Sequence, residues 1–391
     1  MTTQRRGARA LGGLLFAAVG AFALGTASAQ DTFKIAYIDP MSGPMANVGD
    51  AGLRHFRYKA ELFNKEGGIL GKRVEIVPFD NKGSPQESLV ILRQIADQGI
   101  QFVTQGNGSH VAGALVSALE RHNRRNPNKI LYFNYAAVDP VLTEDQCSFW
   151  HFRFDAHSEM KLEVFTSYMA ESPDVKKVFL INMDYAHGHQ IQNITRRLLA
   201  QKNPDIEIVG DVLHPIGKVK DFSPYIAQIR ASGADSVITG NWGNDLALLV
   251  RAAADAGLEA KFYTYYGGGL GGPKSIGAAG EGRLFQITEY HRNLPLELGK
   301  LEVYDFVLPF DEANGDVNWY YGRIGTMMDM LKLAAEKAGS TDPVAIAYAL
   351  EDLEMETPFG KVIMRGIDHQ LLQPLFISGF TKDVKYDAEN S

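Results

Sequence analysis

The sequence predicts an α/β protein built from two doubly wound, parallel-sheet lobes, and three observations carry that reading. Eight short runs are continuously apolar, as strands covered on both faces are. Amphipathic stretches of helical period separate them. The order βαβαβαβ then occurs once before residue 135 and again between about 177 and 265. Strands alternating with helices form parallel sheets through crossover connections. The 391 residues leave room for roughly two or three domains of ~150 residues each.

In chain order, the first half has strands expected at 33–38, 74–79, 100–104 and 130–134, with helices over 53–64, 85–98 and 111–122. Ser84 followed by Pro85 is a cap and then a fixed φ in the first helical turn. Segment 150–156, "WHFRFDA", has no Gly or Pro and is too apolar for a floppy linker, so it reads as a short strand crossing between rigid lobes. The second half has strands expected at 177–183, 206–212, 235–239 and 261–265, with helices over 190–201, 222–231 and 245–256. A long helix is expected over 317–338, with Ile324, Met327, Met328 and Leu331 on its apolar face. It must pack on a sheet, so the chain is expected to return to the first lobe. Trp319, Tyr320 and Tyr321 read as packing of that helix, and Arg365, Asp368 and His369 as a structural polar turn.

Residues 1–29 have a different character. Arg5, Arg6 and Arg9 precede an apolar stretch over 11–24, and Ala27-Ser28-Ala29 ends it. That is the pattern of a cleavable secretory leader, too short in its apolar part to span a bilayer. Gly7 and Ala8 stand where a twin-arginine leader carries a bulky apolar residue, which points to the general secretory route. Losing the three arginines takes the formal net charge from −7 to −10, which speaks against nucleic acid as partner. No other stretch reaches membrane-spanning length, so no direct membrane insertion is expected. Cys147 is the only cysteine and forbids an intrachain disulfide. The expected location is the periplasm.

Residues 105–113, "QGNGSHVAG", place a glycine turn between an apolar strand and a helix. There is no lysine for a phosphate loop, and Val111 stands where a dinucleotide fingerprint needs glycine. What remains is a helix start, with free N–H groups and Ser109 and His110 as further donors. Such a start suits a carboxylate; alternatively, Ser109 only caps its helix. Catalytic motifs are scarce: no H-E-x-x-H, no G-x-S-x-G and no cysteine pair. Asp184, His187 and His189 in "DYAHGH" offer metal-ligating atoms, but i and i+2 side chains diverge on a helix. Capping, surface or ligand contact fits each of them better. Asp80 and Asp139 read as loop caps. No catalytic residue, metal site or cofactor is expected.

The stretches "KIAYIDPMSGPMANVGDAG", "FNKEGGILGKRVEIVPFDNKGSPQES", "NYAAVDPVLT", "KDFSPYIAQIRASGADSV" and "RAAADAGL" resemble the periplasmic branched-chain amino acid-binding proteins. These are type I periplasmic binding proteins, the solute receptors of ABC importers. The resemblance spans essentially the whole mature chain and implies two α/β lobes joined by three crossing strands around a ligand cleft. It implies a first lobe of residues 31–153 plus 288–362 and a second of 154–287 plus 363–391. By position, the cleft would take Ser42, Val48, Asn107, Gly108, Ser109, His110, Ala136, Ala137 and Val138 from the first lobe. The second lobe would give His187, Trp242 and Tyr266, with Tyr265 nearby. The 108–109 turn and the 136–138 backbone would hold a ligand carboxylate.

Departures from the family pattern shape the expected ligand. Tyr266 stands where the family has an acid for the ligand ammonium, and Val48, His187 and Trp242 stand where it has tyrosines. The cysteine pair usual in the first lobe is also missing. An unpaired buried ammonium costs several kcal/mol. The expected solute is therefore a small aromatic carboxylate of benzoate or hydroxycinnamate type, passed on to ABC permease subunits. The alternatives are a branched-chain amino acid or small amide, a secreted metal-assisted hydrolase, or a ligand sensor for a membrane receptor.

Overall fold

The structure is a computed structural model that describes residues 32–269, 272–315, 317–382 and 384. The leader expected over residues 1–29 lies outside the described residues. The first sheet holds β1 (Thr32–Asp39), β2 (Arg73–Asp80), β3 (Phe102–Gln105), β4 (Leu131–Asn134) and β5 (His151–Arg153), in the order β2-β1-β3-β4-β5 and all parallel. β3 and β4 are buried at every residue, as strands of a parallel sheet covered on both faces are. Helices α1 (Ala46–Lys65), α2 (Pro85–Asp97) and α3 (Ser109–Arg125) connect them. Ser84 caps α2, its hydroxyl accepting from the Glu87 amide at 3.3 Å.

The second half runs α4 (Ser158–Glu171), β6 (Lys177–Met183), α5 (Ala186–Lys202), β7 (Glu207–His214), α6 (Ser223–Ser232), β8 (Ser236–Thr239), α7 (Gly243–Asp255), β9 (Lys261–Thr264), α8 (Gly272–Ile276) and β10 (Leu284–Thr288). There follow α9 (Leu294–Glu297), α10 (Tyr304–Asn314), α11 (Gly322–Ala338) and α12 (Pro343–Leu350). A small antiparallel sheet of β11 (Glu354–Thr357), β12 (Gly360–Met364) and β13 (Leu371–Leu372) comes next, and then β14 (Phe376–Gly379). The second large sheet has the order β14-β10-β9-β8-β6-β7 and is parallel except for β14. Among the described residues no helix is long and apolar enough to cross a membrane.

The chain passes three times between the sheets: after β5, between β10 and α11, and between β13 and β14. On its return it packs Ile324, Met327, Met328 and Leu331 of α11 into one core with Phe33, Phe56 and Phe133. The first and third passages lie side by side. The Arg153 amide donates to the His369 carbonyl at 2.9 Å, and the Arg153 Nε to Gln370 Oε1 at 2.6 Å. Gln370 Nε2 donates to the Asp155 carbonyl at 2.9 Å, and Gln373 Nε2 to the Phe154 carbonyl at 2.9 Å. Arg365 pairs with Asp368, and the His369 ring stacks on Phe152 with centroids 4.0 Å apart.

One expected element is shorter than the periodicity implied. The helix expected over 317–338 begins only at Gly322. The Trp319 amide donates to Asp311 Oδ1 at 2.6 Å, and the Tyr320 and Tyr321 amides donate to His55 Nε2 at 2.9 and 3.3 Å. These amides are satisfied by side chains, so the backbone has no need to continue the helix backwards. His55 can accept because burial pushes its imidazole down to about 3, which keeps it neutral, while its Nδ1 donates to the Ala51 carbonyl at 2.7 Å.

Candidate functional site

Parallel strands deliver their C-terminal ends to a common edge, where loops carry the ligand contacts of open α/β sheets. Here β3 and β4 of the first sheet face β6, β8 and β9 of the second across a cavity of about 20 Å³. The cavity is lined by Gly106, Asn107, Gly108 and Ser109 after β3, and by Ala136 and Val138 after β4. Tyr185 and His187 come from beyond β6, Trp242 from beyond β8, Tyr266 from beyond β9, and Tyr321 and Arg323 from the start of α11. The volume is room for about one water, because side chains of the two sheets touch. The Tyr266 hydroxyl reaches Asp155 Oδ2 at 3.3 Å and the Ala136 carbonyl at 3.5 Å.

Four of the lining residues each precede a helix. Gly108, Tyr185, Trp242 and Tyr321 occupy the positions before α3, α5, α7 and α11, and none makes a side-chain cap bond. Helix starts carry unsatisfied N–H groups and the positive end of the macrodipole. Two of the four follow strands of the second sheet, one follows a strand of the first, and Tyr321 precedes α11, which packs on the first. Gly108 has φ +97°, a backbone conformation that favours glycine. At Gly106 a Cβ would fall 2.7 Å from the Tyr135 ring. Those two glycines are what let the turn fold back closely over β4.

Behind the cavity lies a buried ionic cluster that the sequence did not disclose. Lys161 Nζ pairs with Asp155 Oδ1 at 2.7 Å, with both side chains at most 1% exposed. Arg323 Nη1 donates to Glu289 Oε1 at 2.7 Å, and its Nε to the Tyr135 carbonyl at 2.7 Å. Two cations balance two carboxylates, as buried charges require. Arg323 Nη2 is buried without a hydrogen-bond partner, on a residue that lines the cavity. Burial pushes His187 down to about 3, with the Lys161 charge adding to the effect, so its imidazole is neutral. Its Nδ1 lies 3.1 Å from the Ser158 hydroxyl.

The structure brings together Asn107, Gly108, Ser109, Ala136, Val138, His187, Trp242 and Tyr266 of the residues singled out from sequence. The others lie apart from the cavity lining. Ser42 is exposed and hydrogen-bonds Asp80. Val48 packs in one apolar cluster with Trp242, and Ala137 donates its amide to Asn134 Oδ1 at 2.7 Å. His110 points its Nε2 at the Gly83 carbonyl, 3.3 Å away. Tyr265 turns from the cavity and donates to the Ser158 carbonyl at 3.1 Å, since adjacent extended residues face opposite ways. Asn107 lines the cavity, but its amide donates to Asp39 at 2.9 Å and its Nδ2 to the Tyr135 hydroxyl at 3.0 Å. Within that turn, the donors left are at Gly108 and Ser109. Ser109 opens α3 and is not its cap, so the capping alternative does not describe it.

Sequence reasoning missed Tyr185, Tyr321 and Arg323. Tyr185 lies two residues past the end of β6, where a parallel strand delivers its loop to the cleft, and that position is its signal in the sequence. Its hydroxyl accepts from Trp242 Nε1 at 2.8 Å. The "DYAHGH" residues do not converge: His187 faces inward, while His189 pairs with Asp184 at 2.9 Å on the surface.

The family profile described as "Periplasmic binding protein" matches residues 32–384. A Leu/Ile/Val-binding protein homolog 4 of Brucella melitensis is 31% identical over 372 residues, covering 93% of this chain and 88% of the relative. A solved leucine-, isoleucine-, valine-, threonine-, and alanine-binding protein from Brucella ovis, in a closed conformation, superposes with a TM-score of 0.82 at 29% identity, covering 92% of this chain and 93% of the other. The solute-binding protein of an ABC transporter from Rhodopseudomonas palustris, solved with 3,4-dihydroxy benzoic acid, shares the fold at a TM-score of 0.77 and 19% identity, covering 90% and 93%. Family and fold are those of solute-binding proteins and not of enzymes. With two parallel-sheet lobes, strand-end loops meeting at a cleft and a profile match over nearly all its described length, the chain belongs to the periplasmic binding protein family.

Proposed function

We propose that the protein is the periplasmic receptor of an ABC importer, and that its cleft captures a small aromatic carboxylate between two lobes that close on it. The single observation that carries the anion is the composition of the cavity wall. Four helix starts and Arg323 border it, and no Asp or Glu does among the described residues. Anions are favoured at helix N-termini, and a guanidinium binds a carboxylate by charge-assisted hydrogen bonds. The carboxylate meets the 108–109 turn and Arg323 Nη2. Tyr185, Trp242, Tyr266 and Tyr321 supply flat apolar faces, with offset or edge contacts to a ring worth ~1 kcal/mol beyond burial.

A branched-chain amino acid is the second reading, favoured by the named specificities of the Brucella relatives. It fits the wall less well, because Asp155 and Glu289 are engaged with Lys161 and Arg323 and leave the ligand ammonium without a carboxylate. In either case the present cavity admits no such solute unless the lobes part. Opening without ligand and closing with it is the motion that the three passages between sheets allow. A thermal-shift panel of benzoate, 4-hydroxybenzoate, 4-coumarate, leucine and valine separates the readings, since ligand binding raises the melting temperature by mass action. Stabilisation by one or more aromatic acids is expected. Stabilisation by leucine or valine alone overturns the aromatic assignment.

A further inference from the structure

We propose a second small-molecule site, behind the cleft, that binds a primary amine carrying an aromatic-sized apolar body. A cavity of about 420 Å³ lies where β10 runs out towards α11, within the ~300–1,000 Å³ range of ligand pockets. Phe306, Trp319 and Phe359 give it aromatic walls. Glu289 and Tyr290 also line it, and each keeps a buried polar atom, Glu289 Oε2 and the Tyr290 hydroxyl, without a hydrogen-bond partner. Buried polar atoms without a hydrogen-bond partner cost free energy, and each calls for an explanation, a bound partner being one.

The class of ligand follows from charge. Glu289, Glu302, Asp329 and Glu356 face the cavity against one cation, Lys59, which is paired with Asp329 at 2.7 Å. An ammonium is donor-only, with three N–H groups. It complements Glu289 Oε2, while its ring or chain meets the aromatic walls. A carboxylate would face the acids. The same Glu289 holds Arg323 through its other oxygen, so the two sites share one carboxylate but have separate walls. The inference stands whichever solute the cleft takes.

The test is calorimetric titration of the intact mature protein with 2-phenylethylamine and with 2-phenylethanol, its neutral counterpart. One equivalent of amine is expected to bind, at least tenfold more tightly than the alcohol. Thr326→Trp, which fills the cavity from α11, should weaken amine binding at least tenfold while leaving the response to 4-hydroxybenzoate as in the parent. If that variant fails to melt cooperatively, Phe359→Ala, which removes an aromatic wall, decides in its place with the same expected loss. No saturable amine binding, equal binding of the alcohol, or an unchanged affinity in the variant that folds would each overturn the proposal.

Discussion

Trp242 combines the most legible and the least legible parts of the site. Its place after a strand, between Asn241 and Gly243, marked it for the cleft from sequence, as it did Ser109 and Tyr266. What fixes it is Tyr185, whose hydroxyl takes the indole N–H at 2.8 Å. Trp242→Ala should weaken binding of the favoured aromatic acid at least tenfold, roughly 1.4 kcal/mol, in a calorimetric titration. Arg323 was illegible for a different reason. It lies on a segment whose period reads as ordinary helix, and only the chain's return to the first sheet sets it against Tyr135 and Glu289. Removing its charge would strand the buried Glu289 carboxylate and destabilise the protein itself, so Arg323→Lys is the informative change. Lysine keeps the charge and loses the planar fork. Binding of the acid should fall about tenfold, an expectation resting on ~1.5–3 kcal/mol for a charge-assisted hydrogen bond; the melting temperature without ligand should move little by comparison. An unchanged affinity would remove Arg323 from the site.

At the scale of elements, strand and helix positions along the chain followed largely from period, because strands covered on both faces, such as β3, β4 and β8, centre on apolar residues. The start of α11 did not follow. Periodicity extends back to Val317, yet His55 on α1 captures the Tyr320 and Tyr321 amides and ends the helix at Gly322. A contact between residues so distant in sequence leaves no trace in local pattern. It also orients Tyr321 and Arg323 towards the cleft. His55→Ala orphans two buried amides, at ~1–3 kcal/mol each. We expect a loss of about 2–4 kcal/mol in urea denaturation, with weaker ligand binding alongside. A variant as stable as the parent would show that α11 starts where it does for another reason.

The whole molecule should lose stability in acid. His55, His151, His157 and His187 are each held down to about 3, chiefly by burial. They stay neutral in the folded chain at pH values where the unfolded chain, near its ordinary 6.5, binds protons. Stability is therefore complete above about pH 6.5 and falls as pH drops towards 3, by up to about 1.4 kcal/mol per pH unit for each histidine. Asp39 works the other way: burial pushes it up to about 6, so it gains protons on folding between its usual range and that value. Burial also raises Asp139, Glu144, Asp245 and Asp329 and lowers His110 and His291; the four large histidine shifts dominate, so the melting temperature should drop from pH 6.5 to 4. A flat profile would mean that these histidines are not shielded as the structure has them.

We propose that the cleft recognises a carboxylate on an aromatic body. The most direct measurement is a calorimetric comparison of 4-hydroxybenzoate, its neutral amide 4-hydroxybenzamide, and leucine on protein freed of ligand by unfolding and refolding. The acid and the amide have nearly the same shape and differ in charge, so their ratio reads the helix starts and Arg323 alone. The acid should bind at least tenfold more tightly than the amide, and leucine more weakly than the acid. Leucine binding more tightly than the acid, or an amide as tight as its acid, would contradict the account.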